Sequence, residues 1–209
     1  MSTRPEFRSQ AYATLQGKWK QPVLATLITL LISGAIQGCG RSSSIFLIVI
    51  SCLASLLITC NLSYGMNVAL LRFNRGREET IKEMFSAGFK EDYARVLGIM
   101  LLTALYIILW MILLIIPGLI KAYAYSMTTF IAEDNPELDP NECIKRSKVM
   151  MDGHKMDLFL LDLSYIGWIL LGIITLGIGM LWVGPWITMA HVKFYEELKA
   201  EAVNNPIQG

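Results

Sequence analysis

The sequence is short of charge. Only 17% of its 209 residues are Asp, Glu, Lys or Arg, where an ordinary soluble domain carries about a quarter. Histidine is scarce, with two residues, and the four cysteines (Cys39, Cys52, Cys60, Cys143) form no C-x-x-C pair and no metal-type spacing. Nothing here supports a zinc site or a disulfide framework. No G-x-S-x-G elbow, H-E-x-x-H helix, Walker loop or Cys/His dyad occurs. The expectation is a protein that is not an enzyme and holds no cofactor or metal. Net charge is +1, so bulk charge gives no argument for nucleic acid, and no such partner is expected.

What the chain has instead is apolar length. Hydrophobic residues make up 54% of it, mean hydropathy is +0.49, and the charges are segregated, leaving long uncharged tracts. A membrane span needs about 20 mostly apolar residues to cross roughly 30 Å of hydrocarbon. The expected fold is therefore all-α: a single polytopic membrane domain over 1–209, with six transmembrane helices in three hairpins and short cytoplasmic amphipathic helices.

Residues 1–20 form a basic lead, with Phe7, Tyr12 and Trp19 between Arg4, Arg8, Lys18 and Lys20, and read as an interfacial helix. Spans are predicted at 22–38, 45–71, 96–116, 119–132, 158–174 and 180–192, with a cytoplasmic helical tail over 193–209. Ser33-Gly34-Ala35 are small enough for a cleavage site, but the long lead and the paired second span favour a retained first span. Two further interfacial helices are expected. One runs Thr80 to Phe89, with Ile81, Met84 and Phe85 on one face; the other runs Glu142 to Met151, with Asn141 as its N-cap. Pro117-Gly118 stops the third span. The fourth, at 14 residues, is short for a crossing.

Charge placement tests this plan. With the N-terminus in the cytoplasm, sixteen of the eighteen Lys and Arg residues fall on that side, only Arg41 and Lys121 outside. The positive-inside rule thus predicts a multi-pass protein of the cytoplasmic (inner) membrane with both termini cytoplasmic.

Three joints align along the chain: Gly17-Lys18-Trp19-Lys20, Gly88-Phe89-Lys90-Glu91-Asp92 and Gly153-His154-Lys155-Met156-Asp157. Each follows an amphipathic stretch and precedes a hairpin, which suggests a threefold repeat; the same punctuation also occurs in any polytopic chain. The second and third agree best.

Ile116-Pro117-Gly118, Tyr123 and Tyr125, Asn135-Pro136, the run from Ser147 to Lys155, Gly167-Trp168, Gly177-Ile178-Gly179 with Trp182, and Phe194-Tyr195 carry a family likeness. So do Gly17, Trp19 and the stretch from Arg75-Gly76 to Phe85. Together they resemble the DUF975 family of bacterial integral membrane proteins over nearly the whole chain. Pro185-Trp186 departs from the Pro-Tyr of many relatives. The resemblance implies a multi-span membrane fold and brings no catalytic residues.

Polar groups inside spans are the default functional candidates. Counted outward from the Gly177 turn, Asp162 and His191 fall at similar depth and can pair. Such a pair is either a proton-linked or substrate-binding site or, more simply, a hydrogen-bonded clamp near the cytoplasmic interface. Laying Gly118 on Gly179 matches Tyr125 to Trp186, so Tyr123, Tyr125, Trp182 and Trp186 are candidates to line a ligand cavity, against the plainer alternative of an aromatic belt. His154 and Asp157 with His191 lack the spacing of a metal site. Lys145, Arg146, Lys148 and Lys155 are candidate contacts for anionic headgroups, at about 1 kcal/mol per basic residue near the surface. Topology alone also accounts for them. The expected role is binding or scaffolding of membrane lipid or a partner protein, with homo-oligomers among the partners. The alternative is a small transporter or channel using Asp162, His191 and the aromatic residues; a lipid-directed membrane enzyme ranks third.

Overall fold

A computed structural model describes residues 3–39, 45–77, 80–89, 93–175 and 177–204. Eleven helices and no strand occur among these residues. Two helical stretches, Tyr93–Ile112 and Lys155–Ile174, are long and apolar enough to cross a membrane. Only 11% and 22% of their residues are buried, whereas a soluble core helix would be mostly enclosed. This surface favours membrane association.

Helix α1 (Arg4–Leu15) starts where the Thr3 N–H donates to Glu6 Oε2 at 2.6 Å, with Pro in its first turn. Its stripe of Phe7, Ala11 and Leu15 is fully enclosed by protein. This apolar face packs chiefly on the C-terminal helix, with Phe7 5.3 Å from Phe194. Gly17, at φ +82°, then reverses the chain.

Helices α2 (Lys20–Cys39) and α3 (Ile45–Asn74) form the first hairpin. The end of α3 is a Schellman closure, the Gly76 and Arg77 N–H groups donating to Phe73 and Arg72 carbonyls around Gly76 at φ +96°. Helix α4 (Thr80–Phe89) forms over the expected amphipathic segment. It presses on α3 through glycines: a Cβ on Gly65 would sit 2.1 Å from the Met84 carbonyl oxygen, and one on Gly88 2.7 Å from that of Asn61. Met84 is buried with Ala25, Leu62 and Ala69, while Phe85 remains exposed.

Helix α5 (Tyr93–Leu113) turns at the single extended residue Leu114 into α6 (Ile115–Ala124). The break thus precedes Pro117, which falls in the first turn of α6 where its missing N–H costs little. Gly118 lets α6 close on α5, since a Cβ there would meet the Met111 backbone at 2.9 Å. The predicted fourth helix is also broken. A turn at Tyr125–Met127 separates α6 from α7 (Thr128–Asp134), and Ser126 and Thr128 hydroxyls donate to the carbonyls of Tyr123 and Tyr125.

Helix α8 (Pro140–Met150) is capped by Asp139, not Asn141: the Asp139 carboxylate accepts from the Asn141 N–H at 3.1 Å. Helices α9 (Lys155–Leu163) and α10 (Ile166–Ile174) are interrupted at Ser164-Tyr165. Past Gly177, helix α11 (Met180–Asn204) joins the predicted sixth span and tail in one rod that contacts α1, α2, α3, α9 and α10.

The joints diverge from their sequence alignment. Gly17 and Gly153 both take left-handed φ, +82° and +84°, but Gly88 is helical and serves the α3–α4 contact. The two best-matched joints are thus the ones that differ in conformation. Lys90, Glu91 and Asp92 lie outside the described residues.

Candidate functional site

Asp162 stands in the last turn of α9, just before the helix interruption. His191 Nε2 lies 2.6 Å from its Oδ1, and the Tyr123 hydroxyl donates to its Oδ2 at 3.1 Å. Three helices therefore converge on one carboxylate, and both of its oxygens are engaged. The Asp162 and His191 side chains are 28% and 26% exposed, so the pair is partly open at the protein surface. The ring of Tyr123 meets Phe159 edge-on at 5.7 Å.

Beside this cluster, Arg8 of α1 covers the α9–α10 interruption. Its Nη1 donates to the Ser164 carbonyl at 3.4 Å, and its guanidinium lies 5.5 Å from the Tyr165 ring centre and 5.7 Å from that of Trp186. Trp186 Nε1 returns a 3.0 Å hydrogen bond to the Arg8 carbonyl. The Trp186 ring also meets Tyr12, Tyr165 and Trp168 edge-on. Arg8 and Tyr165 were not singled out in the sequence. Their signal is faint, because an arginine in a basic lead is explained by charge topology alone.

The four candidate aromatics occupy separate environments. Tyr123 touches Asp162; Trp186 belongs to the Arg8 cluster; Tyr125 packs with Ala124, Ile144 and Tyr106; Trp182 is exposed on α11. They do not converge on one ligand.

The basic residues lie on and beside α8. Lys145 and Arg146 approach Glu142 at 3.7 and 3.8 Å, Lys148 is exposed, and Lys155 donates to Asp152 at 2.9 Å, which holds the Asp152 carboxyl below its ordinary range. Between α8 and the end of α11 runs a groove of about 450 Å³. Its polar lining mixes Lys145, Arg146 and His154 with Glu142, Asp152 and Glu201, and Val149, Met150, Leu198 and Ala202 supply the apolar lining.

A third polar array emerges only in three dimensions. Arg72 bridges Glu83 and Glu133, while Arg75 grips Asp134 with its Nη2 2.9 Å from Oδ2, and Glu196 with its Nε at 2.8 Å. Tyr195 and Lys199 also donate to Asp134, at 2.8 and 2.6 Å. Burial opposes ionisation of Asp134, but hydrogen bonds from Arg75, Lys199 and Tyr195 prevail and lower its pKa to about 2. Arg95 completes the array by donating to the carbonyls of Leu138, Ala132 and Asn135. With each named carboxylate matched by a cation, this array acts as a clamp tying α3, α4, α7 and α11. No cluster of three metal-type ligands occurs among the described residues.

A family model described as "Protein of unknown function (DUF975)" matches residues 1–122 and 111–202. The chain belongs to the DUF975 family. No curated protein and no solved structure matches it. Within this DUF975 protein, the Asp162–His191–Tyr123 cluster joins three helices at one carboxylate, and the α8–α11 groove combines charged side chains of both signs with an apolar lining.

Proposed function

We propose that this DUF975 protein is a non-enzymatic, multi-pass protein of the inner membrane, its three hairpins entering from the cytoplasmic side where both termini lie, and that it binds anionic lipid there. The observation that carries this reading is the α8–α11 groove. An anionic headgroup would sit against Lys145 and Arg146, and apolar chain against Val149, Met150 and Leu198. Lys148 and Lys155 extend the basic surface. The exposed apolar faces of α5, α6 and α10 support placing this groove beside a bilayer.

Native mass spectrometry of protein released gently from its own membrane tests the reading. A retained anionic lipid that is lost in Lys145→Ala/Arg146→Ala supports it. A ligand-free protein, or lipid retained equally by the double variant, refutes it; a protein partner or second copy retained instead redirects the role to scaffolding.

A transport reading draws on a separate observation, the partly exposed Asp162–His191 pair beside an interrupted helix. It requires Asp162→Asn to abolish flux in vesicles while the fold survives.

A further inference from the structure

The arginine array carries one positive charge more than its carboxylates. Among the described residues, Glu83, Glu133, Asp134 and Glu196 are bonded by Arg72, Arg75, Arg77 and Lys199. Arg95 is the cation left over, for its hydrogen bonds go to carbonyls. Nε donates to Leu138 at 3.0 Å, Nη2 to Asn135 at 2.8 Å and Ala132 at 3.3 Å, and Nη1 lies 3.4 Å from the Ala132 oxygen. Three carbonyl dipoles thus fix the guanidinium without neutralising it. Of its five N–H groups, one on Nη1 still lacks an acceptor among the described residues.

Arg95 borders a space of about 260 Å³ between α3, α4, α5 and α7. Arg72, Glu133 and Tyr64 border it too, with Ala87 and Val96 among its apolar lining. Tyr64 is 3% exposed, yet its hydroxyl makes no hydrogen bond among the described residues. Glu133, Arg95 and Arg72 are the charged groups whose fields act on that hydroxyl. A buried hydroxyl without a partner is costly, so the space calls for a polar occupant that meets it. A second space of about 330 Å³, lined by Arg72, Arg75, Arg77 and Glu133, shares two residues with the first. Its three guanidiniums draw anions toward the inner space.

We propose that the inner space binds a hydrogenphosphate group, whose oxygens accept from Arg95 and the Tyr64 hydroxyl and whose P–OH donates to Glu133. Charge selects an anion, because two guanidiniums and one carboxylate line the space. Glu133 then selects among anions. Its Oε1 accepts from Arg72 Nε at 2.6 Å, but a carboxylate has about four lone-pair sites, and another is filled only by a donor. Hydrogenphosphate brings that proton, whereas sulfate and a phosphodiester headgroup bring none. Orthophosphate in water and a phosphomonoester headgroup both carry the group. The space shares no lining residue with the α8–α11 groove, so the proposal stands apart from the lipid reading.

The test is calorimetric titration of full-length protein in detergent with sodium phosphate and with sodium sulfate, at pH 7 and constant ionic strength. One phosphate per chain is expected to bind, and sulfate at least about tenfold more weakly. Tyr64→Phe removes only the hydroxyl and should weaken phosphate about tenfold, without lowering Tm in phosphate-free buffer. Glu133→Gln should bring sulfate level with phosphate. Lys145→Ala/Arg146→Ala should bind phosphate as the wild type does, so this proposal and the groove reading fail separately. A second arm incubates the protein with phosphatidylcholine vesicles carrying phosphatidate, and native mass spectrometry reads the lipid retained. Phosphatidate kept by the wild type and lost by Tyr64→Phe, with no heat from phosphate, assigns the group to a lipid headgroup. Binding of neither source overturns the proposal and leaves the space to water. Equal affinity of Tyr64→Phe and wild type, or sulfate bound as tightly as phosphate by the wild type, also overturns it.

Discussion

The glycine contact between α3 and α4 gives the sharpest stability prediction. An added Cβ on Gly65 would lie 2.1 Å from the Met84 carbonyl oxygen and 3.1 Å from its carbon, so no side-chain rotation relieves it and α4 itself must move by about 1 Å. Forced overpacking of this kind costs about 1–3 kcal/mol, and contact with backbone puts Gly65→Ala at the upper end. Against this stands the helix-propensity gain of Gly→Ala, about 1 kcal/mol. Gly34 is the internal control, because it is helical with nothing within 4 Å of its built Cβ. Gly34→Ala should therefore raise stability slightly, and Gly65→Ala should lower it by about 2 kcal/mol. In a chain of this length that shifts Tm by about 4–8 °C, read by thermal unfolding in one detergent. Gly88→Ala should act in the same direction. The double variant should cost less than the sum, because one displacement of α4 relieves both clashes. Equal Tm for Gly65→Ala and Gly34→Ala would refute the reasoning.

Asp134 predicts an acid limb. Its folded pKa lies below the unfolded one, so its stabilisation is present above about pH 4 and is lost as pH falls through about 2. Asp134→Asn should cost on the order of 2 kcal/mol at neutral pH and flatten Tm between pH 4 and 2, which calorimetry would show. Trp186→Phe removes the hydrogen bond to the Arg8 carbonyl and should loosen α1 by about 1 kcal/mol. Hydrogen exchange should rise in Arg4–Leu15 and not in α4. Lys148→Ala changes an exposed residue and should leave Tm unaltered, while weakening retention of anionic lipid by the detergent-released protein, read by native mass spectrometry.

Helix content was legible because it depends on local pattern. The uncharged runs and the amphipathic 80–89 segment became helical, and Gly17, Gly76, Gly153 and Gly177 punctuate them at left-handed φ. Breaks were less legible. Pro117 drew the predicted stop forward because proline ends helices from within, yet it is equally at home in a first turn, and the chain turned at Leu114 instead. The interruptions at Tyr125–Met127 and Ser164-Tyr165 use hydroxyl-to-carbonyl bonds that leave little trace in hydropathy. Amphipathicity was also ambiguous about its partner. The stripe Phe7, Ala11, Leu15 fits a lipid surface or α11 equally well, and only tertiary contacts choose between them.

The candidate site shows the same division between what periodicity encodes and what registration decides. Counting from one turn brought Asp162 opposite His191, because both lie on arms of the same hairpin and rise per residue is fixed. No such count could bring Tyr123 to that carboxylate from another hairpin, or place Arg8 over the α9–α10 interruption. Depth is a property of registration too. Hydropathy measures how long an apolar segment is, as in the 21 residues of α5, and not where its neighbours hold it. Once Asn141 is hydrogen-bonded beside Tyr106, the lower half of α5 is committed to the level of a charged helix.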